Sequence, residues 1–486
     1  MVEKNKENAW KKKQYVQAIT SVIINTLLIV AFMFIALIAK VEDVSKLTPY
    51  IKGNVKFIAF IGFSVIIVSI GVFLYFYHQN RKFISKTSNI TMIYLVVLVS
   101  LISSYLFGKI SVYLRPFALC AVLTLVLSNK RTAVFMNSVF SILMLLTDLL
   151  CSSFGSSGNY VLISLVISFT TGIVAVFLID GEGSRAKVLF MGFVMSIPVI
   201  LSAVIIELKL EQIIQTLISA LYALGSGLLS VALMTVLLPL FERSFGALTN
   251  FRLTELTDHK SKLIKELSIS APGTFSHTII VAMLAEACGN AIGENPLLVR
   301  ACAYYHDIGK LKNPDLFTEN QSGKNPHDEL SPELSTDIIR SHAKDGADFI
   351  RKRRLPEIFA EVAEQHHGTL PIRYFYMKAS KFTDGKLSLE NFSYYGPKPQ
   401  SKVNAIIMIC DACEAKVRTI SNRTHENVDK AVKEIIEERM ELDQFNECDI
   451  TFKELDIIRN TLTNTLSGVY HERVRYPKLK IGGRRG

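Results

Sequence analysis

The sequence predicts an all-α protein in two parts, a polytopic transmembrane helix bundle followed by a mostly helical region of ordinary polarity. Three observations carry this reading. Half of the 486 residues are hydrophobic and the mean hydropathy is +0.31. The apolar excess lies in the first half, in runs long enough to cross a bilayer at ~20 residues each. After Phe241 the composition changes abruptly to charged and amphipathic.

About eight apolar segments are expected between residues 15 and 243, after a basic tail over residues 1–14. They lie near Tyr15–Ala39, Phe57–Tyr77, Ile90–Ser111, Pro116–Ser128, Thr132–Cys151, Tyr160–Ile179, Val188–Ile206 and Ile213–Phe241. The fourth is short and begins at Arg115–Pro116. An even number of spans puts both termini on one side, and charge selects it. Lys4, Lys6 and Lys11 to Lys13 precede the first span; Arg81, Lys82, Lys86, Lys130, Arg131, Arg185 and Lys187 fall in alternate loops. The Cys151–Asn159 loop on the opposite side has no charge, and Lys46, Lys52, Lys109 and Lys209 dilute the bias without reversing it. Basic loops stay inside, so both termini are expected in the cytoplasm. The first segment exceeds a signal-peptide core and reads as an uncleaved anchor. Arg115 and Asp148 are the main ionisable candidates within the spans, too few for a transport path. The net charge of +11 is assigned to topology ahead of nucleic acid, and no nucleic-acid polymer is expected as a partner.

The stretch Glu242–Ser270, with Leu253, Leu256, Leu263, Ile264 and Leu267 near helical spacing, reads as a connecting helix able to pack in a dimer. A cytoplasmic helical domain is expected over 271–486. The seven cysteines are scattered; Cys410 and Cys413 form a lone CxxC without a second pair, so buried reduced thiols are expected.

Eight of the ten histidines fall between His259 and His425. His277 precedes the helix Ile279–Cys288; His306–Asp307 closes Pro296–Tyr305; His342 lies within Pro332–Arg351; His366 and His367 end Glu357–Gln365. Asp411 sits in the apolar helix Val403–Arg418, where a carboxylate is costly unless a metal or a cation compensates it. An ion pair would explain Asp411 alone, but not five helical segments each offering a histidine or aspartate. His277, His306, Asp307, His342, His366 and Asp411 are therefore read as a metal site. With no cysteine at matching spacing the donors are nitrogen and oxygen, which favours iron, manganese or another first-row ion over structural zinc.

The runs Ala271–His277 and Tyr304–Lys310 resemble the HD phosphohydrolase superfamily. The match is closer through Glu319–Gln321, Asn325–Asp328, Gln365–Thr369, Tyr374–Tyr376, Gly396–Lys402 and Tyr470–Pro477. Together these resemble the membrane-bound bacterial HD phosphodiesterases that degrade cyclic di-AMP, the PgpH-like family, from about residue 56 onward. The resemblance implies that His277, His306, Asp307 and Asp411 bind one divalent ion and that Asp307, His342 and His366 bind another, Asp307 bridging. It implies catalytic roles for His306, Asp307 and Lys310, and substrate contacts from Lys310, His367 and Thr369. The aromatics Phe392, Tyr394 and Tyr395, in the loop Lys381–Lys402, are candidates to stack on adenine, with Tyr394 preferred; a packing insertion is the alternative. Two departures stand out. Only Val41–Val55 separates the first two spans, where the family carries a large external domain, and Ser276 precedes His277 where two histidines are frequent.

The function implied is hydrolysis of cyclic di-AMP to linear 5′-pApA by a metal-activated hydroxide, at a bacterial inner membrane, with the lipid bilayer and the cyclic dinucleotide as partners. A homodimer through the linker helix or HD domain is a further expectation. Two alternatives stay open: an HD phosphohydrolase of another nucleotide (a dNTP, (p)ppGpp or cyclic di-GMP), and a non-catalytic nucleotide-sensing receptor.

Overall fold

The computed structural model describes residues 2–41, 44–79, 83, 86–151, 159–181, 185–208, 212–381 and 387–469. The chain divides into two units, Met1–Phe251 and Arg252–Gly486. The expected motif at Tyr470–Pro477, and the loop charges Arg81, Lys82 and Lys209, lie outside the described residues.

The first unit is built from α1 (Val2–Val41), α2 (Val44–Gly53), α3 (Val55–Gln79), α4 (Thr87–Gly108), α5 (Leu119–Leu127), α6 (Lys130–Cys151), α7 (Asn159–Ile179), α8 (Arg185–Met195), α9 (Ile197–Glu207) and α10 (Ile213–Phe245). Among the described residues, seven of its helical stretches are long and apolar enough to cross a membrane, α8 and α9 counting as one. Pro198 opens α9 and divides that stretch, since proline cannot supply the backbone donor that would continue the preceding turns.

The fourth expected span is corrected. Of Pro116–Ser128 only Leu119–Leu127 is α-helical. At 1.5 Å per residue such a helix is about 14 Å long, roughly half of the hydrocarbon thickness. Arg115 is extended (ψ 135°) before Pro116, so no helix runs into this segment from the preceding 3-10 turn. Phe117 to Leu123 are fully buried. Irregular backbone is tolerated at membrane depth only when protein covers it, and here the Ser226 hydroxyl donates to the Arg115 carbonyl at 2.5 Å.

Side-chain contacts show which helix ends share a face of this unit. Tyr15 packs on Tyr77, the Tyr75 and Thr132 hydroxyls meet at 3.4 Å, and Lys130 pairs with Asp180 at 2.9 Å. On the opposite face Tyr105 donates to the Ala36 carbonyl, Tyr50 to that of Leu150, and Arg115 meets Asp148. Tyr113 reaches Glu207 there, and Thr216 donates to the Glu207 carbonyl. The helix α10 therefore returns to the face where α1 begins. The connection between α1 and α3 holds the short helix α2.

The second unit contains α11 (Asn250–Leu256), α12 (Lys262–Ser270), α13 (Pro272–Ile292), α14 (Pro296–Tyr305), α15 (Pro332–Lys352), α16 (Glu357–Gln365), α17 (Arg373–Ser380), α18 (Lys402–Thr419), α19 (His425–Glu441) and α20 (Phe452–Val469). The single connecting helix expected over Glu242–Ser270 is three pieces. Gly246 takes a left-handed conformation (φ 64°) that ends α10, and Thr257–Ser261 separates α11 from α12. Its apolar stripe is not left for a partner: Leu253, Leu256, Leu263, Ile264 and Leu267 are all buried within the chain. The helix α13 is apolar enough to resemble a span, yet it packs on α14, α18 and α20 of its own unit. It begins at Pro272, so His277 lies inside it and not in a preceding turn. Side-chain caps set other helix starts: Asn295, Ser331 and Ser401 accept from the first-turn amides of α14, α15 and α18. The cysteines are free, and Cys288, Cys302, Cys410 and Cys413 are buried, as expected.

Candidate metal centre

Five segments of the second unit deliver the six expected ligands to one place. His277 comes from α13, His306 from the end of α14, and Asp307 from the turn before a 3-10 helix over Ile308–Lys312. His342 comes from α15, His366 from the end of α16, and Asp411 from α18. All but Asp411 are at most 6 % exposed. The His–Asp turn can lie under α15 because residue 309 is glycine; a Cβ there would stand 2.0 Å from the His342 carbonyl oxygen.

The geometry divides around Asp307. Its Oδ2 lies 3.3 Å from His306 Nε2 and 3.9 Å from His277 Nε2, and Asp411 Oδ1 is 2.9 Å from His277 Nε2. Its Oδ1 lies 3.4 Å from His342 Nε2 and 3.7 Å from His366 Nε2. The candidate donor atoms of His277, His306 and Asp411 lie within 4.8 Å of one another, as do those of His306, Asp307 and His366, and of His342, His366 and His367. One carboxylate thus faces two histidine clusters, one with each oxygen.

The donor set fits metal ions by a test independent of the motif. His306, His342 and His366 each place Nδ1 at 2.5–2.8 Å from the carbonyl three residues earlier, of Ala303, Ile339 and Ala363. Donating there fixes the tautomer and leaves each Nε2 as a lone pair aimed into the site. His306 Nε2 and Asp307 Oδ1 are buried with no hydrogen-bond partner, while Lys310 Nζ stands 2.7 Å from Asp307 Oδ2. Buried polar atoms without partners are costly, and a cation is what these acceptors lack.

The electrostatics agree. Burial pulls the His277 pKa down, but Asp411 and Glu414 outweigh it and raise it to about 10. Burial also opposes ionisation of Asp307 and Asp411. Lys310 and His306 nonetheless hold Asp307 well below the carboxylate range, and His277 does the same for Asp411. Burial lowers His342 to about 4, with His366 adding to the effect, so it is neutral and ready to ligate.

Sequence reasoning missed Glu414, one helical turn beyond Asp411. It is fully buried and meets His277 Nδ1 at 2.5 Å, orienting that ring. The i, i+3 spacing to Asp411 was its available signal. Glu319 was quoted only as part of a motif, yet it holds the Lys310 ammonium at 2.8 Å while Asp307 Oδ2 holds it at 2.7 Å. Lys310 is therefore engaged with two carboxylates and does not project freely into the cleft.

The expected substrate contacts divide. His367 sits beside the centre, its Nδ1 3.9 Å from Asp411, and Tyr394 stacks on it with ring centroids 4.2 Å apart. Thr369 is committed elsewhere: its amide and hydroxyl both engage Gln444. Phe392 is 1 % exposed in a small cluster with Phe375 and Ala379, so it is a packing residue; Tyr395 lies over the Arg340 guanidinium at 4.0 Å.

Residues 274–416 match the family model of the HD domain, and residues 56–249 match that described as a 7TM receptor with intracellular HD hydrolase. The chain is 38% identical over 433 residues to the cyclic-di-AMP phosphodiesterase PgpH of Bacillus subtilis (strain 168), covering 85% of this chain and 60% of that protein. It is 37% identical to the protein of the same name from Listeria monocytogenes serotype 1/2a (strain 10403S), covering 86% and 59%. The chain thus spans about three fifths of the length of these relatives. The crystal structure of the L. monocytogenes PgpH HD domain with cyclic di-AMP is 48% identical, covering 44% of this chain and 99% of that one, with a TM-score of 0.42. The two halves of the chain, in order, are thus similar to the two parts of seven-transmembrane proteins that carry an HD hydrolase domain.

Proposed function

We propose that this protein is a membrane-anchored phosphodiesterase that opens cyclic di-AMP to linear 5′-pApA at a centre holding two divalent ions. The observation that carries the reading is Asp307, whose two buried oxygens each face a separate set of histidine nitrogens. His277, His306, Asp307 and Asp411 would hold one ion, and Asp307, His342 and His366 the other. Nitrogen and oxygen donors without a thiolate suit iron or manganese. When bound, two such ions lower the pKa of water and stabilise charge on a phosphodiester.

The chain's own residues supply position and charge. Three imidazoles are locked in orientation by their Nδ1 bonds, so little reorganisation accompanies ligand binding. Burial opposes the charge on Lys310, yet Asp307 and Glu319 raise its pKa and keep it cationic. It thus holds Asp307 in place and adds positive potential where a phosphate accumulates negative charge. His367 and Tyr394 form an aromatic wall beside the centre, suited to a flat base. The choice of adenine is supported by the names of the relatives, which cover most of this chain. Sidedness is supported by charge: the face with the start of α1 and the end of α10 also carries Lys130 and Arg131, which favours the cytoplasm. A homodimer would have to use surfaces other than the linker stripe, which is already buried.

The test is hydrolysis by the purified full chain loaded with manganese or ferrous iron, offered cyclic di-AMP and cyclic di-GMP separately. The reading expects 5′-pApA as product and preference for the adenine substrate. It expects no turnover by His306→Ala or Asp307→Ala variants that remain folded. Turnover by either variant would overturn it.

A further inference from the structure

The first unit contains a polar cavity of about 530 Å³ that none of the preceding chemistry uses. It lies on the face opposite the start of α1, where α1, α4 and α6 end and α7 begins. Lys40 from the last turn of α1, Lys109 at the end of α4, and Arg115 line it, with Asp148 as the acidic member among its lining residues. The described lining groups therefore carry two positive charges in excess.

Arg115 is fixed from several directions. Its guanidinium meets Asp148 with two nitrogens, at 2.5 and 3.0 Å, and the pair is 13% and 17% exposed. Residue 108 is glycine, and a Cβ there would stand 2.5 Å from Arg115 Nε, so the group lies flat against the helix end. The Arg115 carbonyl accepts from Ser226, and its Nε is buried without a partner. Among the described residues, neither Lys40 nor Lys109 has an acidic side chain in ion-pair range; Lys109 rests over the Tyr105 ring at 4.9 Å. A lysine at a helix C-terminus complements the helix dipole, but that alone would not turn two lysines and a preset arginine onto one cavity.

We infer that this cavity binds a phosphate group, seated by Lys40 and Lys109 against the fixed Arg115. A phosphate monoester of charge near −2 would match the two excess positive charges, and ammonium and guanidinium donors are the groups that recognise it. The level of the site, at the ends of four spans, makes both a lipid headgroup and a free phosphate possible sources of that chemistry.

The experiment uses the full chain in nanodiscs and two arms. In phosphatidylcholine discs, inorganic phosphate is titrated while the thermal midpoint is followed. In the second arm, discs of phosphatidylcholine mixed with phosphatidic acid are compared with phosphatidylcholine alone, and retained lipid is counted by native mass spectrometry. Stabilisation by inorganic phosphate identifies a soluble ligand; stabilisation and retention with phosphatidic acid alone identify the headgroup. In either case Lys40→Gln/Lys109→Gln, which leaves the Arg115–Asp148 pair intact, should weaken the response by at least ~10-fold. Its thermal midpoint without ligand serves as the folding control. The inference is overturned if neither probe stabilises the native chain, or if the double variant responds as the native chain does.

Discussion

Each half of the molecule buries charge, and the two do so in opposite ways. In the membrane unit Arg115 and Asp148 satisfy each other in a two-pronged pair. In the HD unit Asp307 is buried among four imidazoles, one oxygen lacking a hydrogen-bond partner and the other held by the ammonium of Lys310. A pair that closes on itself is a structural solution. A carboxylate facing converging imidazole lone pairs is the arrangement of a metal-binding site. The contrast separates the membrane half from the half that carries the proposed metal centre.

The largest expected effect breaks the second solution. Asp307→Ala should reduce cyclic di-AMP hydrolysis to background and lower the bound metal, as read by elemental analysis of the full chain. Asp307→Asn should do nearly the same, since the amide keeps the shape and loses the charge. In the membrane unit, Arg115→Ala should lower stability by about 1–3 kcal/mol because it leaves a partly covered carboxylate unpaired. The combined Arg115→Met/Asp148→Leu variant should recover most of that loss in thermal unfolding, while leaving metal content unchanged. A double variant as unstable as the single one would mean that the pair does more than satisfy itself.

Smaller effects sharpen the comparison. Glu414→Gln should weaken metal binding by ~10–100-fold without abolishing it, as expected for a group that orients a ligand. Metal affinity should also rise with pH up to about pH 10. His277, raised to about 10, must lose a proton to bind an ion, whereas His342, lowered to about 4, loses none. A titration by calorimetry in two buffers of different ionisation enthalpy would count the proton released. Tyr394→Ala should raise KM for cyclic di-AMP more than it lowers metal content, because its ring stacks on His367 at 4.2 Å and meets the ligand His342 only edge-on at 6.1 Å.

The two halves were also unequally legible in the sequence. The metal cluster was readable because each donor sits at a helix end or on an apolar face, where a histidine or aspartate has few ordinary reasons to be. Its division around Asp307 was not derivable from spacing, since it depends on how five segments pack; resemblance supplied it. Glu414 was hidden because a glutamate late in a helix resembles a solvated charge until its burial is known. In the membrane half, hydropathy located the long helices well. It overread Pro116–Ser128, because an apolar run signals burial without saying whether lipid or protein provides it. The linker was misread as one helix because amphipathic spacing continues across Gly246 and across Thr257–Ser261, where the backbone breaks.

In the proposed centre Asp307 would serve both ions, one with each oxygen. The most direct measurement is the metal-to-protein ratio of the full chain, taken alongside its cyclic di-AMP turnover, for the native sequence and Asp307→Ala. Two ions per chain and turnover are expected in the first, and loss of both in the second. A native chain that hydrolyses cyclic di-AMP with a single ion, or a variant that keeps its turnover, would contradict that role of Asp307.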